Sequence, residues 1–82
     1  TVCNLTVGDF SPAQFPIPEP LLGAIVDALR AGETNYPPSA GMPALREVVA
    51  QFYREWLGLD YGTDSVLVTG GARPAIYGVY RT

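Results

Sequence analysis

Apolar residues recur along this chain with two rhythms. Leu21, Leu22, Ile25, Val26 and Leu29 follow helical spacing, and so do Leu45, Val48, Val49, Phe52 and Trp56. The first set predicts a helix beginning near Glu19 or Pro20 and ending at Ala31, with Arg30 in its last turn and Gly32 just beyond. Gly23 inside it costs roughly 1 kcal/mol against alanine, which suggests close packing there. The second set predicts a helix from Pro43 to about Leu57, stopped by Gly58, with Arg46, Glu47, Gln51, Arg54 and Glu55 on its other sides. Between the two lies a loop, ETNYPPSAGM.

The rhythm then changes. Val66, Leu67 and Val68 are apolar without a break, which predicts a strand over Ser65–Thr69 buried on both faces. Gly70 and Gly71 turn the chain, and a third helix is expected from Pro74 onward. At the other end, Asn4–Val7 reads as a short extended segment. After it, four prolines fall between Pro12 and Pro20, so residues 1–18 are expected to form a stiff extended strap anchored by Phe10, Phe15 and Ile17. Residues 19–57 would supply the two helices and their loop, and residues 65–82 the strand, glycine turn and helix. This is a partial α/β architecture. A lone strand has no sheet to join, so the chain is expected to be a piece of a longer polypeptide. Its first residue is not methionine, and its last residues sit inside a helical pattern.

Composition narrows the partners. The 82 residues carry 48% hydrophobic and 16% charged side chains, which is globular rather than disordered. The net charge is −3, and the five cations are all arginines, none of them clustered. A nucleic-acid backbone is therefore an unsuitable partner. No apolar run approaches the roughly 18 residues of a membrane span. The single cysteine, Cys3, allows no internal disulfide, and a free thiol fits a cytoplasmic setting.

Three stretches could carry chemistry. In TGGARP, glycines lead from a strand into a helix N-terminus, where unpaired N–H groups attract anions. The available donors would be the N–H groups of Gly71, Ala72 and Arg73, then those of Ala75 and Ile76. An ordinary βα turn explains the same residues. In NYPPS, two prolines hold Tyr36 rigidly, either to present its hydroxyl or to pack it on the second helix. In NLTVGDF, Gly8 permits close approach of a ligand or backbone. Asp9 beside it is a better cap or turn residue than a general base. No histidine is present, no two carboxylates are paired by spacing, and no metal-ligand spacing occurs.

Taken in order, VGDFSP, NYPPSAGMPALREVV and VLVTGGARPAIY resemble the N-terminal portion of the class I/II aminotransferases, of the fold type I, or aspartate aminotransferase, superfamily. The pattern Tyr36, Gly41, Leu45, Arg46 carries much of the resemblance, which extends over about Asn4 to Tyr80. It implies pyridoxal 5′-phosphate as cofactor. It assigns Gly71, Ala72 and Arg73 to the turn that cradles the cofactor phosphate. Tyr36 would reach the phosphate of the partner's cofactor across a homodimer interface, and Gly8 would lie beside the substrate's carboxylate end. The implied reaction moves an amino group from an amino acid to a 2-oxo acid in a cytoplasmic enzyme. Arg73 stands where the family often has Ser, Thr, Gln or Lys.

The family needs a lysine that anchors the cofactor covalently and moves a proton. This chain has none, so by itself it is expected to catalyse no transamination, and none of its residues is assigned as catalytic. Two other readings stay open on the residues: a non-catalytic binding or interaction module, and a segment of a lyase or acyl-transferring relative.

Overall fold

The computed structural model describes residues 2, 6 and 8–82. Cys3 and, apart from Thr6, the Asn4–Val7 segment lie outside the described residues. The chain divides into two compact units, Thr1–Asn35 and Tyr36–Thr82.

In the first unit the proline-rich stretch is not extended throughout. The N–H groups of Gln14 and Phe15 both donate to the Ser11 carbonyl, at 3.0 and 2.9 Å. Pro12 follows Ser11, where its fixed φ presets a turn rather than an extended step. The turn brings the rings of Phe10 and Phe15 edge to face, 5.1 Å apart. Helix α1 then spans Glu19–Arg30 with Pro20 in its first turn. Its last carbonyls are closed by two bonds, Gly32 N–H to Leu29 (3.1 Å) and Glu33 N–H to Ala28 (3.1 Å), with Gly32 at φ 82°. That pairing is the Schellman termination, which needs a positive φ that glycine adopts without strain. The close packing expected at Gly23 is not found, since no atom lies within 4 Å of where a Cβ would sit.

The second unit is built on helix α2, Pro43–Leu57. Pro43 loses nothing at the first helical position, where its missing N–H would have no acceptor. Gly58 ends the helix at φ 66°. A single 3-10 turn, Thr63–Ser65, packs back on α2. Helix α3, Ala72–Arg81, follows the glycine turn. It starts two residues before the expected Pro74, which occupies the third helical position.

Two further expectations change in this unit. No β-strand forms among the described residues. Ser65 belongs to the 3-10 turn, and Val66 is extended at φ −108°, ψ 121°. The Val68 N–H donates to the Ala40 carbonyl at 3.0 Å. One such bond pins an extended segment but does not make a ladder. The second change concerns α2. Its expected core stripe is largely exposed: Leu45, Val48 and Phe52 face outward, and Trp56 is 76% exposed. The face that packs carries Arg46, Val49 and Ala50, with Ala50 only 4% exposed. A methyl side chain lets the returning backbone approach, and Arg46 supplies donors to its carbonyls.

Candidate functional site

The candidate site is the turn from Thr69 to Arg73 and the loop that carries Tyr36, both in the second unit. Thr69 shapes the turn. Its carbonyl accepts the Gly71 N–H at 2.8 Å, and its hydroxyl donates to the Gly71 carbonyl at 2.6 Å. Gly71 sits at φ 90°, ψ 175°, which a side chain would strain. Beyond it the helix begins, and the N–H groups of Ala72 and Arg73 have no intrahelical acceptor.

This geometry sorts the expected donors. Gly71 N–H is committed to Thr69. Because α3 starts at Ala72, helical bonding commits Ala75 and Ile76 to the carbonyls of Gly71 and Ala72. Pro74 has no N–H. Two donors remain, from Ala72 and Arg73, at the positive end of the helix dipole. Gly70 and Gly71 are exposed, and no atom lies within 4 Å of a Cβ built on either. The turn is therefore open to an incoming group. Arg73 is exposed and adds a cation on the same turn. The set is suited to an anion.

The turn is held from behind. Arg46 reaches from the first turn of α2 and donates through Nε to the Val66 carbonyl (2.9 Å) and through Nη2 to the Thr63 carbonyl (2.6 Å). Its side chain is only 19% exposed, and its nearest carboxylate, Asp64, lies 3.8 Å away. Two residues further on, Val68 presses against Gly41. A Cβ on Gly41 would stand 2.6 Å from Val68 Cβ and 2.6 Å from its Cγ2, and Gly41 has φ 102°. With the Ala40–Val68 hydrogen bond, this docks the Tyr36 loop against the segment that feeds the turn. Gly41 N–H, bonded to the Pro38 carbonyl at 2.8 Å, closes that loop.

Of the five expected site residues, Gly71, Ala72 and Arg73 share the turn. Tyr36 opens the loop docked beside its feeder segment, and its side chain is fully exposed. Gly8 belongs to the first unit and is exposed, with open space where a Cβ would be. A cleft of about 330 Å³ between α2 and the Tyr61–Leu67 stretch is lined by none of the five. Sequence alone assigned no site role to Thr69, and it marked Gly41 and Arg46 only as part of the family pattern. A threonine two residues before a positive-φ glycine was the readable signal for the first. For Arg46, partners 17 and 20 residues away leave no local signature. Among the described residues, no cluster of acidic, histidine or cysteine side chains could hold a metal ion. Among the described residues, no helix is long and apolar enough to cross a membrane.

Comparison with known proteins gives a consistent set of relatives. The chain is 36% identical over 76 residues to an aspartate aminotransferase of Pyrococcus horikoshii, covering 93% of this chain and 19% of the relative. It is 37% identical over 79 residues to an aspartate aminotransferase of Thermotoga maritima, covering 96% of this chain and 20% of the relative. A bifunctional aspartate aminotransferase and glutamate/aspartate-prephenate aminotransferase of Petunia hybrida is 39% identical over 75 residues, 92% of this chain and 15% of the relative. The chain thus spans about a fifth, or less, of the length of the curated relatives it matches. No family model and no solved structure matches.

Proposed function

We propose that this chain, an N-terminal segment of a class I/II aminotransferase and so part of a fold type I transferase, supplies the seat for the phosphate of pyridoxal 5′-phosphate in the complete enzyme. The complete enzyme would move an amino group from an amino acid to a 2-oxo acid, as a cytoplasmic homodimer. The bound cofactor would supply the electron sink for that transfer. This segment holds the cofactor's phosphate end and does not carry the lysine.

One observation carries the reading: two backbone N–H groups, of Ala72 and Arg73, stand unpaired beside an open glycine turn at a helix N-terminus. Phosphate oxygens match two adjacent donors, and the Arg73 guanidinium adds charge compensation. Tyr36, fully exposed on a loop pinned beside the same turn, is suited to donate its hydroxyl to a phosphate in a partner subunit. Gly8 would allow close approach of the substrate carboxylate. The Val66–Thr69 segment would complete its hydrogen bonding as a strand of the cofactor-domain sheet of the complete enzyme.

The exposed apolar faces of α1 and α2 favour a segment of a larger protein over a stand-alone binding module. The names of the relatives favour amino transfer over lyase or acyl-transfer chemistry.

The test is Ala72→Pro in the full-length polypeptide. Proline is tolerated at the first helical position and deletes only the N–H. A hydrogen bond to a charged group contributes roughly 1.5–3 kcal/mol. Affinity for pyridoxal 5′-phosphate should therefore fall about tenfold or more, while affinity for phosphate-free pyridoxal stays the same. Equal affinity of the variant and parent for pyridoxal 5′-phosphate would remove the turn from the phosphate site.

A further inference from the structure

We propose that Arg46 is a positioning residue for the cofactor phosphate, acting through the backbone of Thr63–Val68 rather than by touching the ligand; the proposal rests on the phosphate-seat reading above. The guanidinium grips two carbonyls at once, Val66 at 2.9 Å and Thr63 at 2.6 Å. Between them these bonds span the 3-10 turn and fix where the extended segment leaves it. Val68, two residues past Val66, is clamped on its other side by the Ala40 carbonyl at 3.0 Å and by contact with Gly41. Thr69 comes next, and Thr69 orders Gly71 through two hydrogen bonds. The path from Arg46 to the unpaired N–H groups of Ala72 and Arg73 is therefore short and continuous.

Arginine suits this role for a geometric reason. Its planar fork presents Nε and Nη2 donors at a fixed angle, so both carbonyls are held in one rigid frame. A lysine ammonium at the end of a flexible stem keeps the charge but not the frame. The charge is not what matters here. The nearest carboxylate, Asp64, is 3.8 Å away and fully exposed, which makes it a weak partner. Without the frame, the feeder segment slides against α2, and the Ala72 and Arg73 donors lose their aim at a bound phosphate.

The experiment uses the full-length polypeptide freed of cofactor, with equilibrium dialysis of pyridoxal 5′-phosphate and of phosphate-free pyridoxal in parallel. Arg46→Lys and Arg46→Gln should weaken pyridoxal 5′-phosphate binding about tenfold, the size expected for losing one charge-assisted hydrogen bond at the phosphate. Pyridoxal binding should change by less than about threefold, and Asp64→Asn should leave both ligands as in the parent. A role in general stability predicts instead that both ligands weaken together, and that result overturns the proposal. So does unchanged binding of both ligands, or failure of both Arg46 variants to fold. Ala72→Pro separates this proposal from its premise. If Ala72→Pro discriminates the two ligands and the Arg46 variants do not, only the role of Arg46 falls. If Ala72→Pro does not discriminate them, the phosphate seat itself falls.

Discussion

Gly41→Ala is the sharpest mechanical perturbation of the second unit. Two independent costs meet at this residue. Its φ of 102° lies where side-chain-bearing residues are strained, at about 1–3 kcal/mol. The added methyl would also stand 2.6 Å from Val68 Cβ and 2.6 Å from Cγ2. Rotation about χ1 can move Cγ2 but not Cβ, so the Val68 backbone must shift. Overpacking of this kind costs about 1–3 kcal/mol. The lower bound of the two together is about 2 kcal/mol, which is roughly a 30-fold change in an equilibrium constant. The bond placed to report it is Val68 N–H to the Ala40 carbonyl, 3.0 Å long and next to the clash. Amide hydrogen exchange at Val68 in the full-length polypeptide should accelerate about 30-fold or more, in proportion to local opening. Gly62→Ala is the control. Gly62 has φ −71° and ψ 163°, with no atom within 4 Å of a built Cβ. That variant should exchange at the parent rate or slightly slower, given the roughly 0.4–1 kcal/mol that alanine contributes at compatible sites. A Val68 rate in Gly41→Ala within about threefold of the parent would refute the close approach of loop and segment.

Other outcomes follow from the same structure. On the proposed reading, Tyr36→Phe in the full-length polypeptide should weaken pyridoxal 5′-phosphate binding about tenfold, because the proposed hydroxyl bond to the phosphate would be lost while the ring is retained; dialysis against phosphate-free pyridoxal should show no change. Gly23→Ala should stabilise α1 by roughly 0.8–1 kcal/mol, since the backbone is helical and the methyl meets open space; slower amide exchange in Ile25–Leu29 is the readout, and faster exchange would place another surface against Gly23. The isolated 82-residue segment, assayed with pyridoxal 5′-phosphate in a coupled transaminase assay, should show no turnover, because it has no lysine.

Helix boundaries were legible where local chemistry decides them. Pro43 at a first helical position and Gly58 and Gly32 at positive φ are short-range constraints, and α2 runs over Pro43–Leu57 as its periodicity predicts. The start of α3 was read late for a physical reason. Proline is tolerated anywhere in the first turn, because those N–H groups have no intrahelical acceptor. Pro74 therefore marks a first turn without marking its first residue. The extended Val66–Thr69 segment shows a different limit. Its apolar run predicts a strand buried on both faces, and no strand forms there among the described residues; a strand needs a ladder of partners, and the segment has one such bond. The outward face of α2 follows the same logic. Leu45, Val48, Phe52 and Trp56 follow helical spacing but stay exposed, while contact within this unit is made by Ala50 and Arg46.

The turn itself was legible, because glycines ahead of a helical pattern mark a helix N-terminus, where the first N–H groups lack intrahelical acceptors. Which donors stay unpaired was not legible. That depends on Thr69 capturing the Gly71 N–H and on where the helix begins. Nor could periodicity reveal Arg46, whose bonds cross 17 and 20 positions of sequence.

The central claim is that Ala72 and Arg73 present the phosphate-binding N–H groups. A crystal structure of the full-length polypeptide with pyridoxal 5′-phosphate bound tests it most directly. Phosphate oxygens are expected at hydrogen-bond distance, about 2.7–3.2 Å, from the backbone nitrogens of both residues. A phosphate seated elsewhere, with those two N–H groups bonded to water or to protein, would contradict it.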